Sequence, residues 1–201
     1  MQQQLFVAFM MFAVAALFTP GPNNAMLMTS GVNFGLRRTM PHILGVAIGF
    51  AFLQGLVGLG LGVVFKAYPW LYTLLKYAGA AYLAWLAWQI AHAEPDSGGG
   101  GETAGRPMTF FGAALFQWVN VKGWIVAIGA TTAYAAIAIY PWNIALQVSL
   151  LAVVGMCSAT TWVLFGTVLR PWLASARAVR IFNWGMALAL VASLYPVLTE
   201  G

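Results

Sequence analysis

Thr19-Pro20-Gly21-Pro22-Asn23-Asn24 interrupts an apolar run that extends from Leu5 to Thr29. A bilayer-crossing helix needs roughly 20 apolar residues, so the run is long enough to span. Pro20, Gly21 and Pro22 cannot continue a regular helix through its middle. Backbone released from helical hydrogen bonds at membrane depth is stable only against protein or a wet cavity. The stretch therefore marks a candidate binding site inside a membrane helix.

The rest of the chain agrees with a membrane setting. Its 201 residues are 62% hydrophobic and 6% charged, against about 25% charged in ordinary soluble proteins. The reading is an all-α polytopic membrane protein forming a single transmembrane domain over residues 1–201. A transmembrane barrel would show short alternating segments instead. The formal charge of +5 is dispersed over short loops and gives no footing for nucleic-acid binding. Cys157 is the only cysteine, which excludes an intrachain disulfide and argues strongly against a dithiol redox relay. Met1-Gln2-Gln3-Gln4 carries no basic residue, so the N-terminal apolar run reads as a span rather than a cleaved signal peptide.

Six apolar segments are predicted, at 5–31, 43–65, 70–91, 109–139, 144–168 and 179–198. The polar stretch 92–107 joins two halves, about 1–91 and 108–201, of three spans each. Arg37, Arg38, Arg106, Arg170, Arg177 and Arg180 fall in loops on one side, and Lys66 and Lys76 on the other. Basic residues favour the cytoplasmic side, which places both termini outside. Tyr68, Trp70, Tyr72, Tyr140, Trp142, Trp85, Trp88 and Trp172 group near span ends, as an interfacial aromatic belt would.

A unit of three spans must insert with opposite orientation in its second copy, so the halves would form two inverted three-helix repeats. Such repeats place transport sites at their interface, and interruptions at matching positions point to them. Span 1 is interrupted at Pro20 to Asn24. Span 4 is interrupted at Gln117-Trp118-Val119-Asn120-Val121-Lys122-Gly123. At about 1.5 Å per residue, Phe110 to Asn120 covers roughly 15 Å, half of a hydrocarbon core about 30 Å thick.

Pro22 suits the first turn of a new helix, whose positive end would face the gap and favour a carboxylate. Substrate-binding candidates are Pro20, Gly21, Pro22, Asn23, Asn24, Gln117, Asn120 and Lys122. If span 4 begins near Phe110, Lys122 is the one charged side chain expected inside the membrane, where it is costly unless paired or hydrated; if the span begins at Gly123, Lys122 is an ordinary interfacial residue. Thr131, Thr132, Ser158, Thr160 and Thr161 are expected to back-bond within their helices. Gly31/Gly35, Gly45/Gly49 and Gly58/Gly62 have the spacing that lets helices approach closely, which could also support a homodimer. His42 is expected to be solvated at a span end. No aspartate or glutamate falls in a predicted span, and no grouping suits a metal or a nucleophile with its base. No cofactor and no enzyme activity are expected.

Taken together, Thr19 to Asn24, the glycines at 31, 35, 45 and 49, Gln117 to Lys122, and Ala78-Gly79-Ala80-Ala81-Tyr82-Leu83-Ala84-Trp85 resemble the LysE/RhtB family of bacterial amino-acid exporters. Val121 stands where that family usually has proline. The branch exporting cysteine, O-acetylserine and other neutral amino acids shares the Phe-Gln-x-Val-Asn-Val-Lys form of residues 116–122. The resemblance implies proton-driven export of a small amino acid across the bacterial inner membrane. A passive small-solute channel is the main rival; a redox protein or a membrane scaffold are further alternatives.

Overall fold

The computed structural model of the chain describes residues 2–93, 106–173 and 175–195. Most of the polar stretch predicted between the halves, residues 94–105, lies outside them. All four acidic residues of the chain (Glu94, Asp96, Glu102 and Glu200) fall there or beyond residue 195. The described residues fold into helices α1 (Gln2–Phe18), α2 (Pro22–Leu56), α3 (Gly62–Ala67), α4 (Trp70–Ala91), α5 (Phe110–Val119), α6 (Val121–Ala133), α7 (Trp142–Leu169) and α8 (Ala176–Ala192).

Where the sequence predicts a loop over 32–42, α2 runs on with a single break. Gly35 has φ 74° and ψ 173°, a left-handed conformation that side chains disfavour. The hydroxyls of Ser30 and Thr39 lie 3.0 Å apart. Nine residues of straight helix would separate them by about 13 Å along the axis. The chain therefore reverses at Gly35, giving α2 a first arm over 22–34 and a second arm over 36–56. Thr39 closes the turn by donating to the Gly35 carbonyl at 2.8 Å.

By length and composition two helical stretches are apolar enough to cross a membrane, Pro22–Val64, which doubles back at Gly35, and Trp142–Trp172. The α5–α6 pair makes a third if counted as one span bent by 70°. Six spans are predicted from sequence; of the other segments, α1 and α8 have 17 residues each, and α4, at 22 residues, is long enough but not apolar enough. Exposed Met11, Phe111, Leu115, Ile125, Val153, Val168, Ile181 and Leu188 cover the outside, a surface suited to lipid rather than water.

α2 packs most extensively on α7, then on α5, while α4 packs on α8. Glycines set these contacts. A methyl group on Gly31 would strike the Val163 carbonyl, and one on Gly166 the Met28 carbonyl. These two glycines let the backbones of the first arm and α7 touch. Gly45 and Gly49 do the same for the second arm against α5, with a Cβ on Gly49 2.6 Å from Ala114 Cα. Of the predicted small-residue pairs, Gly45/Gly49 packs within the chain as a pair, Gly31 and Gly58 each meet a neighbouring helix, and Gly35 makes the turn.

Asn33 and Asn183 join the first arm to α8 by a reciprocal amide pair, at 2.9 and 3.1 Å. Both are buried, so removing one leaves the other's amide oxygen without its donor, although Asn33 keeps its bond to the Thr29 carbonyl and Asn183 its bond to that of Ala93. Asn183→Ala is expected to destabilise by about 1–3 kcal/mol, read as a lowered melting temperature in detergent. The Asn33→Ala/Asn183→Ala double variant should cost no more than the single one. Additive losses would show that the pair is not coupled.

Candidate functional site

The proline-glycine-proline run works as predicted. α1 ends at Phe18, and α2 restarts with Pro22 in its first turn, its ladder opening where Ala25 N–H donates to the Gly21 carbonyl at 2.9 Å. The second interruption needs no proline. Asn120, at φ −84° and ψ 96°, is extended between two helical residues and turns α5 into α6. Valine at 121 is compatible with this because the helix breaks before it.

The two breaks meet. Asn23 Nδ2 donates to Gln117 Oε1 at 2.8 Å, and Gln117 Nε2 donates to Asn23 Oδ1 at 3.1 Å. Lys122 Nζ donates to the Thr19 carbonyl at 2.9 Å and lies 3.4 Å from that of Pro20. Asn24 Nδ2 donates to the carbonyls of Leu17 at 2.8 Å and Thr19 at 2.9 Å. Lys122 and Asn24 thus cover the carbonyl end of α1, where the helix dipole is negative and the last acceptors have no helical partner.

A cavity of about 50 Å³ sits between the breaks. Of the predicted site residues, Gly21, Pro22, Asn23, Asn24, Gln117, Asn120 and Lys122 line it. Pro20 does not, and contributes only its carbonyl. One water occupies about 10–15 Å³ on this measure, so the cavity holds a few waters and must widen to admit an amino acid. The N-termini of α2 and α6 both border it, and first-turn N–H groups have no partner within their own helix. The site therefore combines two positive helix ends, one negative helix end, four amides and one ammonium.

Sequence reasoning missed the opposite wall. Gly155, Ser158 and Ala159 of α7 and Phe50 of α2 complete the cavity. Ser158 does not bond back within its own helix as expected; it donates to the Leu17 carbonyl at 2.8 Å. Small residues at 155, 158 and 159, one helical face, were the available signal. Thr131, Thr132 and Thr161 do bond back, to the carbonyls of Ala127, Ile128 and Cys157.

Two further expectations are corrected. His42 is 2% exposed and not solvated; neither ring nitrogen has a hydrogen-bond partner. The reversal at Gly35 removes the expected loop and puts His42 inside the second arm. Lys76, counted from sequence on the outer side, lies buried within α4. Lys122 is thus not the one charged side chain in the helical bundle.

A family model described as LysE type translocator matches residues 14–193. The chain is 31% identical to a cysteine/O-acetylserine efflux protein of Klebsiella pneumoniae over 204 residues, covering all of both chains. It is 32% identical to a protein of the same name from Escherichia coli O1:K1, over 83% of this chain and 84% of that one. The Escherichia coli K12 protein of that name is 31% identical over the same shares. No solved structure matches the chain. Translocation, not catalysis, is what these matches have in common.

Proposed function

The chain belongs to the LysE type translocator family, and from that premise we propose that it exports a small zwitterionic amino acid across the bacterial inner membrane. The observation that carries this reading is the convergence of both helix breaks on one cavity. A zwitterion needs two opposite partners close together. The N-termini of α2 and α6 suit its carboxylate, and the carbonyl end of α1 suits its ammonium.

Lys122 occupies the place at Thr19 and Pro20 that a substrate ammonium would take. Binding would hand those carbonyls to the substrate and free Lys122 to meet the carboxylate. Pro20, Gly21 and Pro22 shape the gap by backbone, while Asn23, Asn24, Gln117 and Asn120 supply amides. Six spans in two inverted halves, rocking about this cavity, would give alternating access. Both termini would face outward, and the proton gradient would drive export, as the family resemblance implies.

The relatives named above supply the first substrates to try, cysteine and O-acetylserine. In proteoliposomes loaded with labelled O-acetylserine, efflux is expected to saturate with internal concentration and to accelerate under an imposed proton gradient. Asn120→Ala should slow it about tenfold by removing one buried amide contact worth about 1.4 kcal/mol. Flux rising linearly without saturation would identify a channel instead. Unchanged flux in Asn120→Ala would remove that residue from the site.

A further inference from the structure

A second, much larger space lies beside the first. It is a cleft of about 1010 Å³ bordered by the first arm of α2, the end of α4 and the start of α5. Met26, Ser30 and Asn33 carry it along one face of the first arm, and Gln89 and Arg106 stand at its rim. Asn23 belongs to the same helical face, three residues before Met26, and lines the central cavity. Three residues of helix advance about 4.5 Å, so the wall between the two spaces is one turn thick.

That wall is apolar. Met26 and Phe116 are buried in one cluster, at 4% and 1% exposure. Phe116 stacks against Tyr82 at 5.7 Å between ring centroids, and Tyr82 faces the cleft. The next residue, Gln117, faces the cavity. On its other side the cleft opens next to Phe34 and Arg106, in the two connections whose arginines mark the cytoplasmic side. An exporter must load from that side.

Resting on the reading above, we propose that this cleft is the cytoplasmic loading vestibule for the amino acid, and that Met26 and Phe116 form the closed gate between it and the central site. The structure is then a state with the inner gate shut and the central cavity collapsed. Opening needs only the displacement of one helical turn and one aromatic ring, a small shift between two packed arrangements. Exposed Gln89 and Arg106 give a zwitterion polar partners at the way in.

The single cysteine makes a direct test practical, because Cys157 is exposed and can be replaced. In a Cys157→Ala background, Gln89→Cys is labelled with a bulky, membrane-impermeant maleimide in vesicles of known sidedness. Labelling from the face that carries Arg37 and Arg38 is expected to lower O-acetylserine efflux at least fivefold relative to the same unlabelled variant. Labelling from the other face should leave it unchanged. Phe116→Ala, and the milder Met26→Ala, are expected to raise gradient-free leak of O-acetylserine at least threefold. Full efflux after labelling, as a cleft filled by lipid would give, overturns the proposal. So does native leak in both gate variants. If the native protein moves no amino acid in these vesicles, the export reading itself falls; if it does and only the cleft variants behave as native, the vestibule alone falls.

Discussion

Replacing Lys122 by methionine is expected to lower the initial rate of amino-acid efflux by ten- to a hundredfold. The substitution keeps most of the side chain's length and removes its ammonium. Two effects add. The Thr19 carbonyl is left with Asn24 Nδ2 alone and the Pro20 carbonyl loses the ammonium beside it, and the substrate carboxylate loses the ammonium of the cavity lining. A hydrogen bond to a charged group is worth about 1.5–3 kcal/mol, which is a factor of about 10 to 150 in rate or affinity. Lys122→Arg keeps the charge and should retain part of the activity, although its planar group fits a different geometry. Folding can be separated from function, because a Lys122→Met protein that melts as the native one does has lost the site alone. A rate within twofold of native would exclude Lys122 from transport.

The second large effect concerns packing. Gly166→Ala is expected to abolish accumulation of folded protein, or to lower its melting temperature by well over 5 °C in detergent. The added methyl would run into the Met28 carbonyl, a backbone atom that no rotamer change can move. Overpacking of this kind costs about 1–3 kcal/mol and often more. The melting point of a domain this size falls by about 2–4 °C per kcal/mol. Gly31→Ala should act in the same way through the Val163 carbonyl, since the two glycines belong to one contact. Gly185→Ala is the control, because nothing lies within reach of a methyl group there. Equal stability of all three variants would mean that α2 and α7 are not in backbone contact.

The parts of this fold that could be read from sequence are those written in backbone chemistry. Pro20-Gly21-Pro22 forbids a continuous helix whatever surrounds it, so the first break was legible. The bounds of helix α4, 70–91, were legible to the residue, because Pro69 before it and the polar stretch after it frame a largely apolar run. Asn120 was legible only by analogy with the first break, because no proline announces it. The reversal at Gly35 was not legible in detail. A lone glycine followed by Leu36-Arg37-Arg38 fits an ordinary short loop as well as a one-residue turn, and the Ser30–Thr39 contact that fixes it appears only once the arms are folded.

The candidate site divides along the same line. Asn23, Gln117 and Lys122 stood out because polar groups are rare in an apolar chain. Their partners did not: the acceptors of Lys122 and Asn24 are main-chain carbonyls at the end of α1, which every residue possesses. Ser158 and Gly155 looked like ordinary packing residues until α7 was laid against the break. The burial of His42 and Lys76 likewise depends on which helix faces them, information that periodicity along one segment does not hold.

The central claim is that the breaks in α1–α2 and α5–α6 enclose the place where solute binds. Ser158 faces that cavity from α7 and tolerates a near-isosteric change, so Ser158→Cys in the Cys157→Ala background provides the most direct measurement. The rate of its alkylation by a small maleimide is followed with and without saturating O-acetylserine, which unlike cysteine does not consume the reagent. The account predicts at least a fivefold slowing by substrate, with half-protection at the concentration that half-saturates efflux. Active efflux together with an alkylation rate indifferent to substrate would contradict it.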